Sequence, residues 1–123
     1  MPLNRQPRRG EIWFVKLHTD PPEKGQLPVV VVSTDARNQH ERANTVLVVP
    51  LRTTPAKAPT HLELSPGETG LGAASTIRAE DITVVRKSSL LESRQGLRTL
   101  SEATILRIAR AVVQAMGFAD LTG

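Results

Sequence analysis

A chain of 123 residues, 39% of them apolar, carries enough hydrophobic side chain for one compact domain around one core. Sixteen Lys and Arg against twelve Asp and Glu leave a net charge of +4, which favours a polyanionic partner over an acidic or membrane-embedded one. No cysteine is present and no apolar stretch approaches the roughly 18 residues of a membrane helix, which excludes disulfides, thiolate metal sites and a helical bilayer span and makes the reducing cytoplasm the expected compartment, with no signal peptide at the charged amino end.

Arg9 and Gly10 turn into a strand expected over residues 11–17, with Ile12, Phe14 and Lys16 facing one way and Trp13, Val15 and Leu17 the other. Residues 18–26 contain Pro21, Pro22 and Gly25 and read as a polar loop long enough to be functional. The uninterrupted β-branched run 29–32, bounded by Pro28 and by Ser33-Thr34-Asp35, suits a central strand buried on both faces. A short irregular or helical piece over 36–44 precedes a second buried strand over 45–51, and a proline-bearing loop runs from Thr53 through Pro59.

Residues 61–64 alternate as an exposed strand does, and Gly67-Glu68-Thr69-Gly70-Leu71-Gly72 reads as a hairpin connection. It lacks the Gly-Lys-Ser/Thr ending of a phosphate-cradling loop. Residues 75–78 and 82–85 are expected strands on either side of a polar bend at Ala79-Glu80-Asp81. The clearest helix starts at the N-cap Ser101, presents Ile105, Ile108, Ala109, Val112 and Met116 at helical spacing, and stops at Gly117, with Leu106 and Val113 on another face. Several short antiparallel strands and a terminal helix make an α+β domain, most simply a small, partly closed antiparallel β-barrel with the helix across one opening.

Chemistry-bearing residues are sparse. Arg78 and Glu80 stand two apart at a strand end, so an extended backbone would project both from one face, although such a couple alone is usually an exposed ion pair worth under about 1 kcal/mol. His18, His40 and His61 are the groups that titrate near neutrality unaided. His61 and Glu63 share a strand face, but two ligands without a third make a poor metal site, and no cofactor is implied. One Trp and two Phe are too few for stacking bases along a sheet.

Two stretches, Gly10-Glu11-Ile12-Trp13 and Leu27-Pro28-Val29-Val30-Val31-Val32-Ser33, resemble the opening of the MazF/PemK family of toxin endoribonucleases, in which a Gly-Glu-Ile-Trp strand precedes an Arg-Pro-Val strand. The resemblance extends over about residues 8–117 of a single domain. It implies an SH3-like barrel that forms a homodimer, and cleavage of single-stranded RNA, without metal, to a 2′,3′-cyclic phosphate and a 5′-hydroxyl. The family Arg is Leu27 here. Arg78-Ala79-Glu80 stands for the family's Arg-x-Asp, and Val49-Pro50-Leu51-Arg52-Thr53-Thr54 for its Val-Pro-x-Thr-Thr/Ser, with Arg52 in place of the first Thr.

The resemblance therefore nominates Arg78, Glu80, Arg52 and Thr53 as catalytic. Glu80 would serve as base, Arg78 would stabilise the phosphorane-like transition state, and Arg52 would replace the cation missing at Leu27. His18 borders the groove of the resembling fold, and Lys24, Gln26, Thr53, Lys57 and Arg86 are candidates for phosphate and sugar contacts. The implied partners are RNA and an acidic, flexible antitoxin, which would act as the DNA-binding half of a repressor complex. Two other readings stand beside this one: a gyrase-binding toxin of the same fold, whose relatives carry a Trp near the carboxyl end where this chain has Phe118, and an inactive paralogue that only binds antitoxin.

Overall fold

Valine-rich runs with no polar interruption fold as central strands because both of their faces are covered. In the computed structural model, which describes residues 5–17, 21, 25–92 and 97–118, β1 (Ile12–Val15), β2 (Leu27–Val31), β3 (Thr45–Pro50) and β6 (Thr83–Arg86) form one antiparallel sheet in the order β1-β2-β3-β6. Its register places Trp13 opposite Val29, Val30 opposite Val49, and Val48 opposite Thr83. Alternation then divides the apolar side chains between two cores. Trp13, Val15, Val29, Val31, Val46, Val48 and Leu90 pack on one face of the sheet.

The other face carries Ile12, Val30 and Val49 and is covered by Leu64, Ile77, Leu100, Ile105 and Ile108. Leu64 and Ile77 come from the hairpin of β4 (His61–Leu64) and β5 (Ser75–Arg78), Ile105 and Ile108 from the terminal helix α3 (Glu102–Ala115), and Leu100 from the segment just ahead of that helix. A two-way backbone bridge between Arg52 and Thr76, with N···O distances of 2.9 and 2.6 Å, joins the two sheets. The expected α+β class, antiparallel sheets with a C-terminal helix, is the one observed. No helix among the described residues is long and apolar enough to cross a membrane.

Local departures from expectation have identifiable causes. The short helix α1 (Asp35–Asn38) occupies the start of the irregular 36–44 piece. The glycine cluster after β4 holds a helical turn, α2 (Pro66–Thr69), because Ser65 and Glu68 form a reciprocal capping box, Pro66 opens the turn, and Gly70 closes it at φ 82°. That turn still returns the chain as a hairpin. In α3 the Ser101 hydroxyl accepts from the Thr104 N–H as expected, but Met116, 67% exposed, and Ala109 lie outside the buried stripe, which Ala111 joins instead. Gly10 takes φ 93° where a Cβ would sit 2.7 Å from the Leu100 carbonyl oxygen, so the approach of the chain ahead of α3 to β1 requires glycine.

The bend at Ala79–Asp81 is a 3₁₀ turn. Ala79 is fully buried and Ile82 packs on the helix-side core, so the turn is pinned by its two apolar ends while Glu80 and Asp81 reach outward between them. Ile82 closes the turn through its N–H to the Ala79 carbonyl, and β6 consequently begins one residue later than the expected 82.

Candidate RNA groove and catalytic centre

The Trp13 face of the sheet borders an open groove of about 590 Å³. Val15, Pro50, Thr83 and Val85 come from that face by register, and the lining also includes Lys16, Arg52, Arg86, Asp81, Thr45 and Ser89. Three cations, three hydroxyls and one carboxylate over an apolar floor make a surface suited to a phosphodiester and its sugar. A second depression of about 770 Å³ shares Thr45 and Arg86 with the first and continues to Asn44, Lys87 and Ser88.

Of the residues nominated from sequence, Arg52 and Arg86 line the groove. Arg52 is half-buried at the seam between the sheets, where its backbone is fixed by Thr76. Thr53, Lys57 and Gln26 are exposed, and His18 and Lys24 lie outside the described residues. Leu27 sits opposite Val15 and packs half-buried against the Trp13 core, so the strand position at which the resembling family has Arg is occupied here by an apolar contact.

Arg78 and Glu80 take different partners, because the 3₁₀ turn replaces the extended backbone on which their common projection depended. The Arg78 guanidinium donates through Nε to Asp81 Oδ2 at 2.9 Å, and Asp81, not Glu80, belongs to the groove lining. Glu80 turns toward β4. Its Oε1 accepts from the Thr60 hydroxyl at 3.0 Å, and its Oε2 lies 3.0 Å from His61 Nε2. His61 Nδ1 accepts the Lys57 backbone N–H at 3.0 Å, which leaves the ring proton on Nε2 to be donated to Glu80.

Its own backbone N–H, first, and then the His61 ring hold the Glu80 carboxyl below the usual carboxylate range, against the opposing effect of desolvation. Such a carboxylate is a well-satisfied anchor that ties the 53–60 loop to the 79–81 turn. His61 and Glu63 are not part of any cluster of three or more His, Asp or Glu among the described residues. In the sequence Asp81 stands only as one letter of a polar bend. The available signal was its spacing of three from Arg78, which faces it only once the bend is read as helical.

Residues 8–116 match the family described as PemK-like, MazF-like toxin of type II toxin-antitoxin system. Among curated proteins, the Endoribonuclease MazF of Staphylococcus saprophyticus is 29% identical over 112 residues, which make up 89% of this chain and 91% of that protein. Among solved structures, an endoribonuclease in complex with its cognate antitoxin, from a mycobacterial species, is 28% identical with a TM-score of 0.71, over 90% of this chain and 95% of that one. A MazE–MazF crystal structure from Deinococcus radiodurans shares the fold at 14% identity and a TM-score of 0.68, over 94% and 99% of the two chains.

Proposed function

The chain belongs to the PemK-like, MazF-like toxin family of type II toxin–antitoxin systems, and from that premise we propose that it is an endoribonuclease that cleaves single-stranded RNA to a 2′,3′-cyclic phosphate and a 5′-hydroxyl without help from a metal ion. The observation that carries this reading is the groove, in which Lys16, Arg52 and Arg86 surround a single carboxylate beside the hydroxyls of Thr45, Thr83 and Ser89. RNA transesterification needs a base for the 2′-hydroxyl proton and fixed positive charge for the crowded phosphate, and those side chains offer both.

Arg52 meets the scissile phosphate from the end of β3 and supplies the guanidinium that Leu27 does not. Arg86 and Lys16 hold neighbouring phosphates, with Thr53, Lys57 and Gln26 at the rim. A partner with an acidic, flexible segment suits the same cationic groove, and the mycobacterial relative was solved with its cognate antitoxin. The chain forms a homodimer in this reading and reaches DNA only through that antitoxin. Against the gyrase-binding reading stands Trp13, which is 2% exposed and buried in the groove-side core, where it cannot reach a partner protein.

The test is incubation of the purified chain with mixed-sequence RNA in excess EDTA, followed by mapping of both ends of the fragments. Cyclic-phosphate and 5′-hydroxyl ends are expected, with no cut where the nucleotide 5′ to the scissile bond is 2′-deoxy. An intact RNA pool across a range of salt concentrations would defeat the proposal.

A further inference from the structure

We propose that Asp81, rather than Glu80, is the carboxylate that meets the 2′-hydroxyl of the substrate, with Arg78 as its positioning residue; the assignment rests on the ribonuclease reading above. Both carboxylates leave the same 3₁₀ turn, yet they arrive in different surroundings. Glu80 has one oxygen on Thr60 and the other on His61, and it is absent from the groove lining. Asp81 lines the groove together with Arg52, Thr83 and Arg86. Among the described residues its Oδ2 takes the Arg78 Nε–H and its Oδ1 takes no hydrogen bond, so one oxygen is oriented and the other is open to a hydroxyl.

The turn holds this aim firmly. Ala79 is fully buried and Ile82 packs against the core, so the backbone carrying Asp81 is braced at both ends. Arg78, with 39% of its side chain exposed against 24% for Asp81, supports the carboxylate from behind the groove and is not itself among its lining residues. In the step this arrangement serves, the 2′-hydroxyl proton passes to Asp81, the 2′-oxygen bonds to phosphorus, and the P–O5′ bond breaks. The departing 5′-oxygen takes a proton from solvent, and Asp81 returns its proton to solvent, so no other reactant is consumed. Arg52, on the adjoining wall, faces the phosphate on which charge accumulates.

The experiment uses a short RNA containing one mapped cut site, and the same RNA with a 2′-O-methyl group there as an uncleavable probe of binding. Asp81→Asn is expected to lower kcat by about 100-fold or more, the range for loss of a general base, while the 2′-O-methyl RNA binds within about threefold of parent affinity. Formate added to Asp81→Ala is expected to restore part of the lost rate, which a purely structural carboxylate would not permit. Glu80→Gln is expected to keep at least about a third of the parent kcat because the side chain lies outside the groove lining, even though the amide oxygen can accept from only one of Thr60 and His61. Arg78→Lys is expected to lower kcat less than Arg78→Gln, with KM little changed in either.

Parent-like cutting by Asp81→Asn overturns the assignment, as does an equal loss in Glu80→Gln. Joint loss of binding and cutting in Asp81→Asn overturns it too, since that pattern belongs to a residue of the fold. A parent that cuts no RNA at all defeats the ribonuclease reading, and this inference falls with it; a parent that cuts while Asp81→Asn also cuts defeats the inference alone.

Discussion

On the helix side of the central sheet, Ile12, Val30 and Val49 meet Ile77, Leu64, Ile105 and Ile108 in a sealed apolar layer, whereas on the Trp13 side the strands are covered only in part and their margin opens into the groove. The first side gains its stability from area removed from water, so its demands are volume and shape. The second side gives up cover at its edge, and there cations and hydroxyls stand where a further apolar layer would otherwise pack. A single strand serves both: β3 sends Val49 into the sealed layer and Pro50 to the groove.

The comparison is broken or sharpened first at Ile108, which is 1% exposed on the buried face of α3. Ile108→Ala is expected to cost about 2–5 kcal/mol of unfolding free energy by chemical denaturation, while cleavage by the molecules still folded stays near the parent rate. An unfolding cost below about 1 kcal/mol would mean that the layer is less sealed than its burial implies.

Arg52→Ala should behave the opposite way. Cleavage is expected to fall about tenfold or more, as for loss of a charge-assisted contact, and the slope of log affinity for RNA against log salt should shrink by about one. Unfolding free energy is expected to fall by less than in Ile108→Ala, because Arg52 is half-buried at the seam whereas Ile108 is sealed in the core. Full activity in Arg52→Ala would remove this side chain from the groove's function and with it the compensation for Leu27.

The smallest effect concerns Glu80. Its folded carboxyl titrates below the ordinary range, so the bonds it accepts from its own backbone N–H, from His61 and from Thr60 stabilise the fold above that range and cease to do so as pH falls through the lowered folded value. Glu80→Gln is therefore expected to be slightly less stable than the parent near neutrality and to lose less stability on acidification. The gap is small because 48% of the side chain is exposed and water screens the interaction. Identical acid-unfolding curves would release Glu80 from the anchoring role.

What the sequence disclosed follows the same division. The strands over 45–51 and 61–64 and the helix after Ser101 were legible because β-branched runs, alternation and a capping serine are local patterns with few competing solutions. Arg52 was legible as a candidate through its place in a motif-like segment, but the groove it lines depends on the β3–β6 pairing, which joins strands far apart in sequence. The turn at Ala79–Asp81 escaped because its helical curvature is imposed by burial of Ala79 and Ile82, a tertiary demand that three polar or small letters do not announce. Reading it as extended assigned Arg78 the wrong neighbour, Glu80 in place of Asp81. The same kind of limit hid the His61 contact with Glu80, since the two are 19 residues apart and meet only across the β4–β5 hairpin.

The mutual backbone bridge of Arg52 and Thr76 fastens the hairpin that carries the turn to the strand that carries the guanidinium. Because each residue both donates to and accepts from the other, strand and hairpin cannot slide past one another without breaking both bonds, so the spacing between the wall that bears Arg52 and the turn that bears Asp81 is set by the backbone itself.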